Sequence, residues 1–232
     1  MVETDWAAWH DSYSDPTSIL GKRLRVVQAF IGEFLDSRDR ALRVISLCAG
    51  KGLDLLDVLA RHPNRERVSA RLVELDPELA ASAGQRAHEA GLTGVEVLVG
   101  DASCTGALVG AVPADLVLGC GIFGNLSDSD VQRTVLVMPE LCAERGVVIW
   151  TRHTWPPDLT PQIRRWFSDA GFDELPFSSP GPESYSVGMN ELRVPPRPMP
   201  PGKRLFTFID PLTCPPSQRA TPRSLRASTS LK

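Results

Sequence analysis

Short apolar runs alternate with helical patterns along this chain, and that alternation constrains the fold more than any other feature. The runs lie at residues 43–48, 68–73, 95–99, 115–118 and 147–151. Helical candidates lie between and after them, at about 52–61, 77–90, 103–110 and 127–142. Uninterrupted apolar runs of this length suit strands buried on both faces. Strand–helix alternation then implies βαβ crossovers and a parallel sheet covered by helices on both sides. End signals support the helices. Asp76-Pro77 supplies an N-cap followed by proline at the first helical position, and Gly91 closes that helix. Thr160-Pro161 repeats the device for a helix carrying Ile163, Trp166, Phe167 and Ala170, closed by Gly171. An amphipathic helix is predicted over 17–35, with Leu20, Leu24, Val27, Ile31 and Phe34 on one face and Pro16 in its first turn. After Gly171 come "FDELPFSS", "SYSVGMNELRV" and "RLFTFI", strand-like segments with Pro-rich turns and no helices between them. The sheet is therefore predicted to finish antiparallel.

A chain of 232 residues suits one α/β domain with a sizeable core. Its 42% hydrophobic and 23% charged residues are ordinary for a soluble globular protein. No apolar run approaches the ~20 residues of a membrane span, and "MVETDWAAWHDSY" is too acidic and polar for a secretory signal. A cytoplasmic location without membrane contact is expected. The five cysteines (48, 104, 120, 142, 214) are odd in number, scattered and without a CxxC pair, which reads as free thiols in a reducing compartment. The four histidines share no ligand spacing, so no metal is expected. A net charge of −3 gives no bulk attraction to nucleic acid, which is not expected as a partner. From Pro211 onward the chain is rich in Pro, Ser and Arg and poor in large apolar residues, the composition of a disordered tail. Residues 1–39 read as an N-terminal segment and helix, 40–210 as the folded domain, and 211–232 as the tail.

The stretch "RVISLCAGKGLD", residues 43–54, runs a buried strand into a small-residue turn and a helix start. Small side chains let the backbone come close to a nucleotide-like ligand, and the N-terminal amides offer donors. The dinucleotide pattern GxGxxG is matched only at Gly50. The spacing GxGxG fits better, with Cys48 as a small stand-in, Ala49 between, then Gly50 and Gly52. The second run ends "RLVELDPEL", and an acid about 20 residues beyond such a turn is placed for ribose hydroxyls. Asp76 precedes Pro77 and is better used as a cap, so Glu74 is the ribose ligand preferred here. The third run ends "VLVGDAS", where Asp101 can accept from an adenine amine and Ala102 can supply a backbone donor.

This ordered series resembles class I S-adenosylmethionine-dependent methyltransferases over roughly residues 40–210. "VISLCAGKG" is similar to their first motif, "RLVELDP" to the second, "VGDA" to the third and "ADLVLGCGIFGNL" to the fourth. The "AGF" turn before the final strands also resembles their ending. The resemblance implies a Rossmann-like, doubly wound, mostly parallel sheet with antiparallel C-terminal strands. It also implies S-adenosyl-L-methionine as cofactor, held by Cys48, Ala49, Gly50, Gly52, Glu74, Leu75, Asp101, Ala102, Cys120 and Gly121. "WHDSYSDPTSILGKRLRVVQ" and "VIWTRH" resemble an actinobacterial branch of small-molecule type. In many such enzymes the N-terminal segment is a lid, which would bring Tyr13 near the sulfonium. The other reading is an arm whose aromatics fill a groove. Ser46 stands where the family usually has an acid. The Asn-Pro-Pro-aromatic motif used on exocyclic base amines is absent after the fourth strand, against DNA adenine methylation.

Methyl transfer from a sulfonium needs mainly proximity and orientation, so no strong catalytic constellation is expected. His153, just past the fifth strand, is the candidate general base on the acceptor, against a histidine bonded to a loop carbonyl. Asn125 is the candidate to orient the acceptor, or a plain turn residue. Arg152 reads as a solvated or paired arginine, with an acceptor clamp as the alternative. Asp54 suits the positive end of its helix dipole and lies within reach of a donor amino group. His10 and Asp11 share the reading of Tyr13. His62 and His88 carry none, and Trp166 and Phe167 sit at core spacing. The expected function is transfer to an O or N atom of a small molecule. The alternatives are a non-catalytic S-adenosylmethionine-binding protein and a nicotinamide-dependent oxidoreductase. An RNA methyltransferase would need a basic face, and the arginines are dispersed. Oligomeric state has no signature in the chain.

Overall fold

A computed structural model describes residues 15–200 and 202–209. Helix α1 (Ile19–Asp36) starts where the Ser18 side chain accepts from the Gly21 amide, and it buries Val27, Phe30, Ile31, Phe34 and Leu35. Pro16 thus lies in the turn before the helix rather than in its first turn. Strand β1 (Leu42–Leu47) follows, then α2 (Leu53–Leu59), β2 (Val68–Glu74), α3 (Pro77–Glu89), β3 (Val95–Val99) and β4 (Ala114–Gly119). The chain continues through α4 (Asp128–Val137), β5 (Cys142–His153), α5 (Thr160–Asp169), β6 (Phe172–Ser178) and β7 (Tyr185–Leu192). Asp76 caps α3 as its position before Pro77 requires, accepting from the Glu78 and Leu79 amides.

The strands form one seven-stranded sheet in the order β3-β2-β1-β4-β5-β7-β6. Strands β1 to β5 run parallel, and β7 is antiparallel to both neighbours. The chain goes outward from β1 to β3 and returns to the other side of β1 at β4. That reversal opens a crevice between their carboxyl ends, where open α/β sheets hold ligands. One face packs Val44, Leu72, Leu116 and Ile149 under α1, α2 and α3. The other packs Ile45, Val117, Val148 and Trp150 under α4 and α5, with Val131, Val135, Trp166 and Phe167. Trp150 is fixed on three sides. Its Nε1 donates to Asn190 Oδ1 at 2.8 Å, and Phe167 stacks at 5.8 Å and 13°. On β7, a Cβ at Gly188 would lie 2.3 Å from the indole, so only glycine fits.

The helix expected over 127–142 ends at Val137, followed by a 3-10 turn over Met138–Glu140 and a strand from Cys142, and three further expectations change. The helix expected over 103–110 is only a 3-10 turn at Thr105–Leu108, in a segment where Gly106 and the left-handed Gly110 oppose a longer helix. Thr160 does not cap α5. Asp158 accepts from the Thr160 amide, and the Thr160 hydroxyl pairs with Ser186. "RLFTFI" joins no sheet, because β6 is the edge strand and the chain leaves β7 through a Pro-rich segment. It crosses the loops at the carboxyl ends of β3 and β4 as a strap, bridging at Cys104–Arg204 and Leu126–Phe208. Leu205 and Phe206 are buried there. Among the described residues no helix is long and apolar enough to cross a membrane. His10, Asp11, Tyr13 and the expected tail lie outside the described residues.

Candidate active site

The first loop is a run of left-handed backbone, with φ of 51° at Cys48, 55° at Gly50 and 68° at Gly52. Cys48 accepts this conformation without being glycine. At Gly52 a Cβ would meet Leu56 at 2.7 Å and Leu72 at 2.8 Å, so this glycine lets α2 close onto the sheet. The loop is stitched by Ala49 N–H to Val73 O at 3.0 Å and by Gly52 N–H to Ala49 O at 2.9 Å. Glu74 organises its other side. One carboxylate oxygen accepts from the Gly50 amide at 2.7 Å and the other from the Asp76 amide at 2.9 Å. Leu75, the next residue, is 66% exposed, a large apolar side chain left open beside that carboxylate.

Asp101 sits at the adjacent strand end in an Asx turn, accepting from the Ser103 amide at 2.9 Å and from the Ser103 hydroxyl. Partial burial pushes its pKa up, but the Ser103 bonds, the Cys104 thiol and the Arg204 charge together hold it below the ordinary value. Ala102 is buried in the core beside it. Burial and the charges of Glu74 and Asp101 push the Cys48 thiol up to about 12, which sets these three groups together and keeps the thiol neutral.

A third acid completes the crevice. Asp54 lies in the first turn of α2 and accepts from the Leu55 amide at 2.8 Å. Burial raises its pKa to about 6, opposed by its backbone bonds and by Arg23 of α1. The Cys120 thiol is pushed well above its ordinary value by burial and by Asp54, so β4 and α2 meet at this pair. Gly121, with φ of 78°, donates its amide to Thr151 Oγ1 of β5 at 2.8 Å.

Beyond β4 the expected acceptor residues are held differently from one another. Asn125 donates its side-chain amide to Gly121 O at 2.9 Å, and its own carbonyl receives the Ile209 amide. It therefore ties the turn to the strap. Arg152 is buried, not solvated or ion-paired: its guanidinium donates to Phe123 O, while Nε finds no partner among the described residues. His153 stacks on Trp155 at 5.0 Å, and its Nδ1 is buried without a partner among the described residues. Burial first, then the Arg152 charge, push its pKa down to about 4 despite Asp158. The imidazole is neutral at pH 7 and does not titrate near it, contrary to the sequence expectation. Among the described residues no group of His, Cys, Asp and Glu is arranged to hold a metal.

Sequence reasoning did not link Arg204 and Ser103 to Asp101, Thr151 to Gly121, or Arg23 to Asp54. The "DAS" spacing is a signal for the Ser103 turn. The other partners come from distant segments and leave no local trace.

The fold is that of class I methyltransferases. No family model matches the sequence, and no curated protein matches it. Among solved structures, magnesium protoporphyrin IX methyltransferase from Synechocystis PCC 6803, solved with bound SAM, aligns with a TM-score of 0.63 at 14% identity over 82% of this chain and 92% of that one. An O-methyltransferase family protein from Burkholderia thailandensis aligns at 0.61 and 21% identity over 80% of this chain and 59% of that one. The CurJ carbon methyltransferase aligns at 0.63 and 14% identity over 82% and 59%. Their names span oxygen and carbon acceptors, so this fold does not fix the acceptor atom.

Proposed function

We propose that the chain is an S-adenosyl-L-methionine-dependent methyltransferase acting on an O or N atom of a small molecule. The observation that carries this reading is the set of three acids, Glu74, Asp101 and Asp54, around one small-residue turn. A sulfonium donor with its α-amino acid group carries a net positive charge, which that set suits. A nicotinamide dinucleotide brings a pyrophosphate instead. It would face the acid already occupying the first turn of α2, where an anion would otherwise bind. The oxidoreductase alternative is disfavoured on this ground.

The residues present fit the donor. The Cys48–Gly52 backbone brings no bulk to the crevice floor, and the Glu74 carboxylate is positioned for the ribose hydroxyls. Leu75 is open to cover an adenine face, with Asp101 and the Ala102 amide for its edge. Cys120 and Gly121 would border the methyl end, and Asp54, beside Cys120, would take the ammonium. When bound, S-adenosyl-L-methionine supplies an electrophilic methyl group. The chain's own contribution is orientation: Thr151 fixes Gly121 and Asn125 fixes the turn above it, while His153, neutral at pH 7, would accept a hydrogen bond from the acceptor, whose proton passes to solvent on methylation. The resemblance of the N-terminal segment to a small-molecule branch and the modest net charge support a small acceptor over RNA, and the composition suits a cytoplasmic enzyme. Residues 1–39 are proposed as lid segment and helix, 40–210 as the catalytic domain and 211–232 as a dispensable tail.

Calorimetry tests the reading. S-adenosylmethionine and S-adenosylhomocysteine are expected to bind in the micromolar range, typical of a small cofactor, and NADH not to bind. Tighter binding of NADH would overturn it.

A further inference from the structure

A groove of about 580 Å³ lies between α1 and the β6–β7 end of the sheet, outside the donor crevice. We propose that it is the acceptor pocket and that it takes a flat apolar molecule carrying a carboxylate; the proposal rests on the methyltransferase reading above. Val26, Phe30, Phe177 and Tyr185 give it an apolar and aromatic lining, while Lys22 and Arg25 set two cations at its edge. These cations are three residues apart on α1 and so share a face of the helix. Arg25 spends one nitrogen on the Pro16 carbonyl at 2.7 Å, and Asp15 lies within electrostatic reach of Lys22. Among the described residues lining the groove there is no carboxylate, so they offer positive charge next to aromatic surface.

Its place in the fold links it to the methyl end. Tyr185 of β7 pairs in register with His153 of β5, and β5 pairs with β4, which leads into Cys120 and Gly121. From β4 to β7 is two strand spacings, about 10 Å. The next residue of α1 after Lys22 is Arg23, which faces Asp54 in the donor crevice. One helix turn thus borders both compartments. A molecule about two fused rings long reaches from the cations toward the methyl end with its acceptor hydroxyl or amine leading.

The test uses the full chain saturated with S-adenosylhomocysteine, titrated with 6-hydroxy-2-naphthoate and its neutral amide, 6-hydroxy-2-naphthamide. The naphthoate is expected to bind at least tenfold more tightly than the amide. Lys22→Gln alone should weaken that preference, and Lys22→Gln with Arg25→Gln should abolish it, with affinity for S-adenosylhomocysteine unchanged. Equal affinity for acid and amide, an unchanged preference in the double variant, or no binding of either at about 1 mM overturns the groove while leaving the donor site intact. A double variant that keeps the preference but melts earlier without ligand also overturns it, by assigning the groove to a segment of the chain itself. Failure to bind S-adenosylhomocysteine defeats the methyltransferase reading, and the groove proposal with it.

Discussion

At the scale of single residues, the three acids behave differently because their neighbours differ. Asp54 has a folded pKa of about 6 against an ordinary value of 3.8, so the native state binds this proton more tightly than the unfolded chain. Stability linked to it is therefore present at low pH and lost as pH rises through about 6, by at most ~3 kcal/mol. Asp54→Asn should raise the melting temperature at pH 7.5 and leave it unchanged near pH 4. The same variant should bind the donor less tightly, since the ammonium loses its counter-charge. Thermal scans at the two pH values check the first half and calorimetry the second. Glu74→Gln keeps an oxygen acceptor but no charge, and should lower donor affinity by about 1.5–3 kcal/mol. His153→Ala should leave the shape of the kcat–pH profile between pH 6 and 9 unchanged, because the wild-type imidazole is already neutral there. Glu74 and Asp101 were legible in the sequence because each stands at the end of an apolar run. The raised pKa of Asp54 was not, since it comes from burial contributed by separate segments, which outweighs the lowering by Arg23. The lowered pKa of His153 was hidden for the same reason.

At the scale of elements, legibility followed local chemistry. The start of α3 was readable because Asp76 and Pro77 are adjacent, and the cap and the ring each act within one turn. Asp76→Ala should cost about 1 kcal/mol in urea unfolding and leave donor affinity unchanged, which separates its cap from the ligand role proposed for Glu74. The start of α5 misled because Thr160-Pro161 has the same form. There the side chain two residues earlier, Asp158, takes the amide, and the Thr160 hydroxyl is drawn to Ser186 across the packing interface. Tertiary contact outweighed the local motif. The parallel strands were legible because burial on both faces leaves uninterrupted apolar runs. Gly188 was not, because its need arises only when Trp150 lies across it from β5. Gly188→Ala should therefore cost several times what a glycine-to-alanine change costs in an open strand. About 2 kcal/mol or more, read by denaturant unfolding, is the expected loss.

At the scale of the whole molecule, the strap of residues 203–209 connects parts that the sheet leaves separate. Lys203 O accepts from Thr105, and its ammonium pairs with Glu140 at 2.9 Å. Arg204 reaches Asp101 at 3.3 Å, Leu205 N–H bonds Ser103 O, and Ile209 N–H bonds Asn125 O. The loops after β3 and β4 are thus held by a segment about 100 residues further along the chain. Alternation in "RLFTFI" was visible, but whether such a run extends a sheet or lies across loops depends on where the chain leaves β7. What anchors the strap is burial. Phe206 is fully buried and meets Phe208 edge-on at 5.5 Å. Phe206→Ala leaves a cavity the size of a ring beneath the loops and should cost about 3–5 kcal/mol. For a chain of this size that lowers the melting temperature by roughly 6–20 °C. Arg204→Ala removes a half-exposed ion pair to Asp101 and a hydrogen bond to the Ser103 hydroxyl, and should stay within about 1 kcal/mol. If both variants melt alike, the strap lies on the surface without anchoring the site. If only Phe206→Ala falls, and donor affinity falls with it, the strap is the brace that keeps Asp101 and the Asn125 turn in place.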